Sequence, residues 1–257
     1  MPLEHFQNVL NQLQGKTKNI ALHVWGDPLT IPNLQEYLDL VLKTSLKVRL
    51  VTNGIHLGAN QKSILTHKAL LQCAISLNSA EQLSLSKQKA YLANIFEWCE
   101  YHVQNRLNTF VNLRLWKKQD EDSKFIDWIL SEINSNFNLQ IPNNFNYSTS
   151  YQLAPKIRFV GSRYFAWPDF NAPIVPQSTC HGLRSQLGIL SDLRVVPCCM
   201  DGDGVMELGN LSSQSLDEIL SSPRALKIKN GFEKNRTIEP FCCHCGFRER
   251  FITRNLQ

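Results

Sequence analysis

The sequence lacks the marks of several protein classes. It contains no stretch of about 18 uninterrupted apolar residues, so no segment predicts a membrane span. Its first residues do not place a basic region before an apolar stretch, which is the pattern of a secretory signal. Charged residues make up only 19% of the chain, and the net charge of +5 is scattered rather than gathered in one run. We therefore expect a cytoplasmic protein with no membrane partner and no nucleic-acid partner.

Cysteine is too rare for a disulfide scaffold, at eight residues in 257, but it is unevenly placed. Six of the eight lie in the last third of the chain. In a reducing compartment, clustered thiols indicate a metal site before a disulfide. Four thiolates suit a tetrahedral zinc or an iron-sulfur cluster, and the spacing does not choose between the two. The candidates are two distant anchors and a Cys-x2-Cys pair, which leaves two cysteines spare: Cys180, Cys198, Cys242 and Cys245, with Cys199 and Cys243 left over.

In the first two thirds of the chain, short apolar runs alternate with amphipathic stretches. The runs predict strands at residues 19–24, 47–51, 72–77, 109–115 and 156–160, with helical patterns between them. Strands that are separated by helices pair in parallel through right-handed crossovers, so we predict an α/β fold. Open sheets and barrels of this class both bind ligands at the carboxyl ends of their strands. In this sequence those ends are polar or unusual.

The C-terminal third carries a series of short motifs in a fixed order. They are Cys-His-Gly-Leu at 180–183, Leu-x4-Cys at 193–198, Met-Glu-Leu-Gly-Asn-Leu at 206–211, Ser-Leu-Asp-Glu-Ile-Leu at 215–220 and Phe-Cys-Cys-His-Cys at 241–245. This series resembles the SPASM or Twitch-type auxiliary domain of radical S-adenosylmethionine (SAM) enzymes. The family's next cysteine would fall at Phe251, so the resemblance implies a reduced, Twitch-like form with a single auxiliary [4Fe-4S] cluster. Its ligands would be Cys180, Cys198, Cys242 and Cys245.

The N-terminal part resembles the same family at the ends of its predicted strands. Gly26 and Asp27 stand where a Gly-Glu pair recognises the amino group of SAM, and the shorter carboxylate can still accept hydrogen bonds from an ammonium. The resemblance also implies that polar residues at the later strand ends meet the ribose, the carboxylate and the substrate. These residues are Thr52, Asn53, Ser76, Asn78 and Arg114. The ordinary alternatives are a turn at Asn53, a helix cap at Asn78 and a surface ion pair at Arg114.

The resemblance covers nearly the whole chain and implies its architecture. Residues 1–165 would form a partial (β/α) barrel of radical SAM type that misses its first strand, and residues 166–257 a small cysteine-rich SPASM/Twitch-like domain. Enzymes of the family hold their catalytic cluster on Cys-x3-Cys-x2-Cys, a spacing that does not occur in this sequence. The chain begins in the helix that should follow that loop. We therefore expect a truncated form of such an enzyme, and the other interpretation is a protein that has lost the catalytic cluster.

Two functions follow from these observations. The first is a radical SAM/SPASM-type enzyme that uses SAM and iron-sulfur clusters for radical modification of a peptide, protein or small-molecule substrate, with a reductase as electron donor. Its catalytic residues are unknown. The second is a non-catalytic, degenerate protein that binds a metal or a partner. The predicted strand at 19–24 has no preceding strand to pair with, so we also expect that its edge supports a dimer.

Overall fold

The computed structural model describes residues 1–58, 62–118, 123–145 and 150–252. The helices are α1 (Leu3–Leu13), α2 (Leu34–Leu42), α3 (Lys62–Leu65), α4 (Leu85–Gln104), α5 (Lys124–Phe137), α6 (Leu216–Leu220), α7 (Pro223–Glu233) and α8 (Pro240–Cys243). The strands are β1 (Asn19–Leu22), β2 (Lys47–Thr52), β3 (Leu70–Ser76), β4 (Phe110–Lys117), β5 (Ser150–Ala154), β6 (Ile157–Arg163), β7 (Gly188–Ile189), β8 (Arg194–Val196) and β9 (Gly209–Asn210). Within the described ranges, no helix is long and apolar enough to cross a membrane.

The chain divides into two compact units. One is Gln14–Tyr164, and the other combines Met1–Leu13 with Phe165–Gln257. The predicted domains, 1–165 and 166–257, stay a prediction about domain organisation. The contacts place α1 in the same unit as the C-terminal segment, although it lies at the other end of the sequence.

The unit Gln14–Tyr164 is built on a six-stranded sheet with the order β1-β2-β3-β4-β6-β5. Its pairs are parallel except for β5 and β6, which form an antiparallel hairpin. The sheet stays open, with β1 and β5 at its edges, so the predicted α/β fold is confirmed as an open, mostly parallel sheet. A dimer through the edge of β1 stays a prediction.

The two faces of this sheet differ because side chains alternate along a strand. On one face the residues are apolar and buried, among them Leu50 of β2, Leu113 of β4 and Phe159 of β6. On the other face the same strands carry Arg49, Arg114 and other polar residues that are exposed or half-buried. Because the residues of the apolar face are buried, this face forms the core. Helix α2 contacts β2, and helix α3 contacts β3. The predicted site residues lie at the carboxyl ends of these strands.

Strand β5 is not predicted by the sequence pattern. The segment before residue 156 is rich in Asn and Ser and has no apolar run of the kind that predicts the other strands of this sheet. In the structure, Ser150–Ala154 pairs antiparallel with β6 across a tight turn. Pro155 lies in that turn, and Lys156 takes a φ of +63° that closes it. Antiparallel hairpins need no crossover helix, so the alternation of strands and helices did not reveal this one.

The other unit has a small core of its own. Strands β7, β8 and β9 form a three-stranded antiparallel sheet. Val9 of α1 packs in one cluster with Val195 of β8 and Ile219 of α6. The backbone N–H of Leu216 also donates a hydrogen bond to the side chain of Gln12, at 2.6 Å. The C-terminal segment therefore buries the apolar face of the amphipathic helix α1.

Candidate functional site

The carboxylate of Asp27 joins the carboxyl ends of β1 and β2. Its Oδ1 accepts from the backbone N–H of Leu29 at 2.9 Å. The hydroxyl of Thr52 lies 2.8 Å from Oδ2 and 3.0 Å from Oδ1. The backbone N–H of Asn53 donates to Oδ2 at 2.6 Å. Three of the predicted SAM-binding residues therefore lie in direct contact.

The carboxylate of Asp27 can accept one more hydrogen bond than the protein supplies. An ionised carboxylate offers roughly four lone-pair positions, and the protein supplies three donors to it. The fourth position can accept from an ammonium, which forms strong charge-assisted hydrogen bonds with carboxylates. Asp27 is half-buried, so the residue keeps some contact with solvent.

The loop that leads to Asp27 has an uncommon backbone. Val24 has a φ of +80°, Trp25 a φ of +44° and Gly26 a φ of +154°. Positive φ is uncommon for a residue other than glycine and is an outlier for a β-branched one such as Val24. Such conformations concentrate at ligand-binding sites, where the surrounding structure holds them. Trp25 is 69% exposed, so nothing in the described core explains its position.

Tyr91 of α4 contacts the same strand ends, and no sequence pattern predicts this role. Its hydroxyl lies 2.9 Å from the carbonyl oxygen of Asn53 and 3.1 Å from that of Ser76. Burial, and then the negative charge of Asp27, raise the pKa of Tyr91, so it remains a hydrogen-bond donor. Tyr91 lies on the buried stripe of α4, where an aromatic residue is expected for packing alone. No local signal distinguishes it from a core residue.

Asn78 has a structural contact at the end of β3. Its Nδ2 donates to the carbonyl oxygen of Trp116 at 2.9 Å, and its Oδ1 accepts from the N–H of Trp116 at 2.7 Å. This reciprocal pair continues the hydrogen bonding between β3 and β4 beyond Ser76. One N–H and one lone pair of the amide are left for a ligand. Its role toward SAM stays a prediction.

Ser76 and Arg114 lie side by side, because they are partners in the parallel register of β3 and β4. Both are half-buried on the polar face of the sheet. The guanidinium carbon of Arg114 lies 5.0 Å from the ring centre of Trp116, a distance at which a cation is attracted to an aromatic face. The ring of Trp116 therefore restrains the guanidinium of Arg114, the one cation among the predicted site residues.

His23, in the loop after β1, lies within the electrostatic reach of Arg114. Desolvation by neighbouring atoms, and then the positive charge of Arg114, lower the pKa of His23 from its ordinary value of 6.5. We predict that Arg114→Met raises this pKa, which proton NMR of the imidazole measures. Since the folded pKa lies below the unfolded one, stability linked to His23 is present above pH 6.5 and is lost as the pH falls.

Arg49→Met is the matched control for that titration. Arg49 lies on the same face, near the amino end of β2, and its charge is not among the causes that shift His23. It should leave the pKa of His23 unchanged. An unchanged pKa in Arg114→Met would show that the two side chains do not interact.

The second group of candidate residues surrounds one cavity in the C-terminal segment. Cys180 lies just before the bridge between Gly182 and Gln186, and Cys198 lies two residues after β8. Cys242 lies in α8, and Cys245 lies two residues after that helix, directly before the 3-10 helix Gly246–Phe251. All four sulfur-bearing residues are buried and line the same cavity, whereas Cys199 and Cys243 are half-exposed and do not line it. The other lining residues are Pro168, Gln186, Met200, Met206, Phe241, Phe247 and Arg248.

The four thiols influence one another electrostatically. Burial raises the pKa of Cys198, Cys242 and Cys245, that of Cys245 to about 11. Neighbouring cysteines add to each of these shifts. Metal ligation requires thiolates, so loading this site releases protons.

Several groups around the cavity favour thiolate sulfur. Backbone N–H groups of Met200 and Phe247 donate hydrogen bonds to the sulfurs of Cys198 and Cys245. The buried Nε of Arg248 has no hydrogen-bond partner among the described residues. A set of four soft thiolates with N–H donors around it fits an iron-sulfur cluster. No three His, Cys, Asp or Glu side chains in the described part of the chain are grouped around a position for a single metal ion.

Comparison with known proteins defines the class. Residues 180–246 match the family model of SPASM, an iron-sulfur cluster-binding domain. No curated protein matches the sequence. The structure of BtrN in complex with AdoMet (SAM) and 2-DOIA has a TM-score of 0.52 at 14% identity, over 95% of this chain and 80% of that one. Native anSMEcpe with bound AdoMet and Cp18Cys peptide has a TM-score of 0.51 at 12% identity, over 96% and 79%.

These findings confirm the resemblance in its two parts. The fold is that of radical SAM structures, and the C-terminal segment is a SPASM domain whose cofactor is an iron-sulfur cluster. At this low identity the similar structures establish the fold alone. The assignment of individual residues to SAM or to the cluster stays a prediction.

Proposed function

We propose that this protein acts in radical SAM/SPASM chemistry, in which SAM and iron-sulfur clusters serve the radical modification of a peptide or small-molecule substrate. The observation that carries the proposal is the Asp27 carboxylate, which links the carboxyl ends of β1 and β2 and retains one free acceptor position. Parallel α/β sheets bind ligands at this edge. The same chain carries a match to the SPASM domain, which supports a shared role of the Asp27 site and the cysteine site in radical SAM chemistry.

In this proposal the strand-end residues bind SAM and orient the substrate. Asp27 accepts a hydrogen bond from the ammonium group of SAM, and Gly26 presents its backbone beside it. Asn53 and Ser76 offer polar groups on the next two strands, and Arg114 binds a carboxylate. We assign the radical-generating step to no residue of this chain.

The proposed cluster ligands are the four cysteines that line the cavity. When bound, a [4Fe-4S] cluster supplies one-electron transfer. The residues of the chain supply the thiolates, the N–H donors and a shell that excludes water. A reductase as electron donor belongs to the proposal too. The substrate class stays open between a peptide and a small molecule, because the two similar structures contain one of each.

Replacement of Asp27 tests the SAM site. We predict that Asp27→Ala weakens SAM binding by about ten- to a hundredfold, because a charge-assisted hydrogen bond contributes roughly 1.5–3 kcal/mol. Isothermal titration calorimetry under anaerobic conditions measures this change. Thr30→Val is the matched control, because the Thr30 hydroxyl donates to the backbone carbonyl oxygen of Asp27 at 2.7 Å, and its loss leaves the carboxylate in place.

The outcomes separate the two functions. If Asp27→Ala binds SAM as tightly as the unmodified chain, the proposed role of Asp27 is wrong. If the unmodified chain loads iron but does not bind SAM, the alternative of a non-catalytic metal- or partner-binding protein is favoured. A loss of affinity in Thr30→Val as large as in Asp27→Ala would indicate a displaced loop rather than a lost ammonium contact.

A further inference from the structure

Arg248 is a fully buried cation in the wall of the cysteine cavity. It lies in the 3-10 helix Gly246–Phe251 and is 1% exposed. Taking a charged group out of water costs several kcal/mol unless another charge or good hydrogen bonds compensate it. A buried guanidinium at this place therefore needs a partner.

Backbone and hydroxyl oxygens satisfy only part of the guanidinium. Its Nη1 donates to the carbonyl oxygen of Cys242 at 2.8 Å. Its Nη2 donates to the carbonyl oxygen of Pro176 at 2.7 Å and to the hydroxyl of Ser178 at 3.0 Å. These bonds fix the plane of the group, but they carry no negative charge. Nε is buried and has no partner among the described residues.

The negative charge that Arg248 meets comes from the cysteines. No ion pair between Arg248 and a carboxylate occurs within the described ranges. Its charge acts on Cys242, Cys243, Cys245 and Cys180, and all of these except Cys243 are proposed ligands. Four thiolates around a [4Fe-4S] core give a net charge of about −2, and about −3 after one-electron reduction. The reduced cluster therefore gains more from a nearby cation than the oxidised one does.

We propose that Arg248 is the counter-charge of the SPASM cluster: its free Nε–H donates to a cluster sulfur, and its charge stabilises the reduced state. Arg248 thus acts as a positioning residue that sets the reduction potential of the cluster. The inference rests on the proposed ligand set of four cysteines. It goes beyond that proposal because it concerns how easily the cluster accepts an electron.

A purely structural role of Arg248 predicts no effect on the reduction potential of the cluster. Arg248 also ties the segment around Pro176 and Ser178 to the carbonyl oxygen of Cys242. If this tie were its only role, the loss of Arg248 would affect folding or iron loading but not the potential of a cluster that is already loaded. The reduction potential therefore distinguishes the two roles.

The experiment is a redox titration of the full chain after anaerobic cluster loading, followed by EPR spectroscopy. Arg248→Met removes the charge and Nε while it keeps an unbranched side chain of similar length. At a fixed potential, we expect the ratio of reduced to oxidised cluster to fall at least tenfold, which is a shift of the midpoint of about 59 mV to lower values. Ser178→Ala is the matched control, because it removes one contact of the guanidinium and retains the charge. Its midpoint should match that of the unmodified chain.

Every outcome of this comparison is decisive. An unchanged midpoint in loaded Arg248→Met overturns the proposal. If Arg248→Met does not load iron, Arg248→Gln takes its place, because it removes the charge and retains hydrogen-bond donors. A glutamine variant that loads iron and has a midpoint lowered by about 59 mV or more supports the proposal, whereas one with an unchanged midpoint, or one that also fails to load, indicates a structural tie and overturns the proposal. If the unmodified chain loads no iron, the cluster assignment itself fails before Arg248 is in question.

Discussion

Cys242→Ala and Cys245→Ala are each expected to lose nearly all bound iron, from about four irons per chain. Both sulfurs line the cavity that holds the proposed ligand set, and each ligand of a [4Fe-4S] cluster binds a different iron. Loss of one thiolate leaves one iron open and the cluster exposed to exchange. Iron and acid-labile sulfide per chain after anaerobic loading, together with the visible spectrum, measure this effect.

The adjacent cysteines are natural matched controls for that experiment. Cys199 and Cys243 directly follow a proposed ligand in the sequence, but they are half-exposed and do not line the cavity. Cys199→Ala and Cys243→Ala should therefore load as much iron as the unmodified chain. Loss of iron in either one would show that the ligand set is wrong. One zinc per chain and no visible colour would contradict the iron-sulfur assignment altogether.

Loading should also depend on pH. Burial raises the pKa of Cys242 and Cys245, so the thiols are protonated before metal binding. The cation of Arg248 opposes these rises. Because ligation replaces the thiol protons, iron affinity falls as the pH falls.

Two parts of the molecule could be predicted from the sequence because their causes are local. The open parallel sheet follows from the alternation of short apolar runs and helical stripes, each of which is a property of neighbouring residues. A site of four thiolates follows from a Cys-x2-Cys pair and two anchors, because ligand chemistry restricts which residues can serve. The spacing left zinc and iron-sulfur open, and the choice of iron-sulfur came from the order of the motifs that resemble a SPASM domain.

The parts that the sequence analysis missed depend on contacts over long distances along the chain. The packing of Val9 against Val195 places α1 in the C-terminal unit, and no local pattern encodes this pairing. Arg248 looks like a surface residue in a charged stretch, yet its burial results from Pro176 and Ser178, 70 and more residues earlier. Tyr91 has the spacing of an ordinary core residue, and only the fold places its hydroxyl beneath the strand ends.

Gly54→Ala is expected to lower the free energy of unfolding by about 2–4 kcal/mol, because two costs add. Gly54 has a φ of +77°, which disfavours any residue with a Cβ. A Cβ at this position would also lie 2.9 Å from Cγ2 of Ile75 and 2.9 Å from the hydroxyl oxygen of Tyr91. Urea denaturation measures the loss. Because Tyr91 holds the carbonyl oxygen of Asn53, the same change should weaken SAM binding.

Gly15→Ala separates the two costs. Gly15 has the same φ of +77°, but a Cβ there meets no atom within 4 Å. Its replacement should cost only the backbone term, about 1–2 kcal/mol. The difference between the two variants is then the steric cost at the strand ends, and Tyr91→Phe should reduce it in the Gly54→Ala background because it removes the hydroxyl that the new Cβ meets. Equal losses in Gly54→Ala and Gly15→Ala would show that the packing beneath Asn53 is loose, and Tyr91 could not then hold the proposed SAM edge in place.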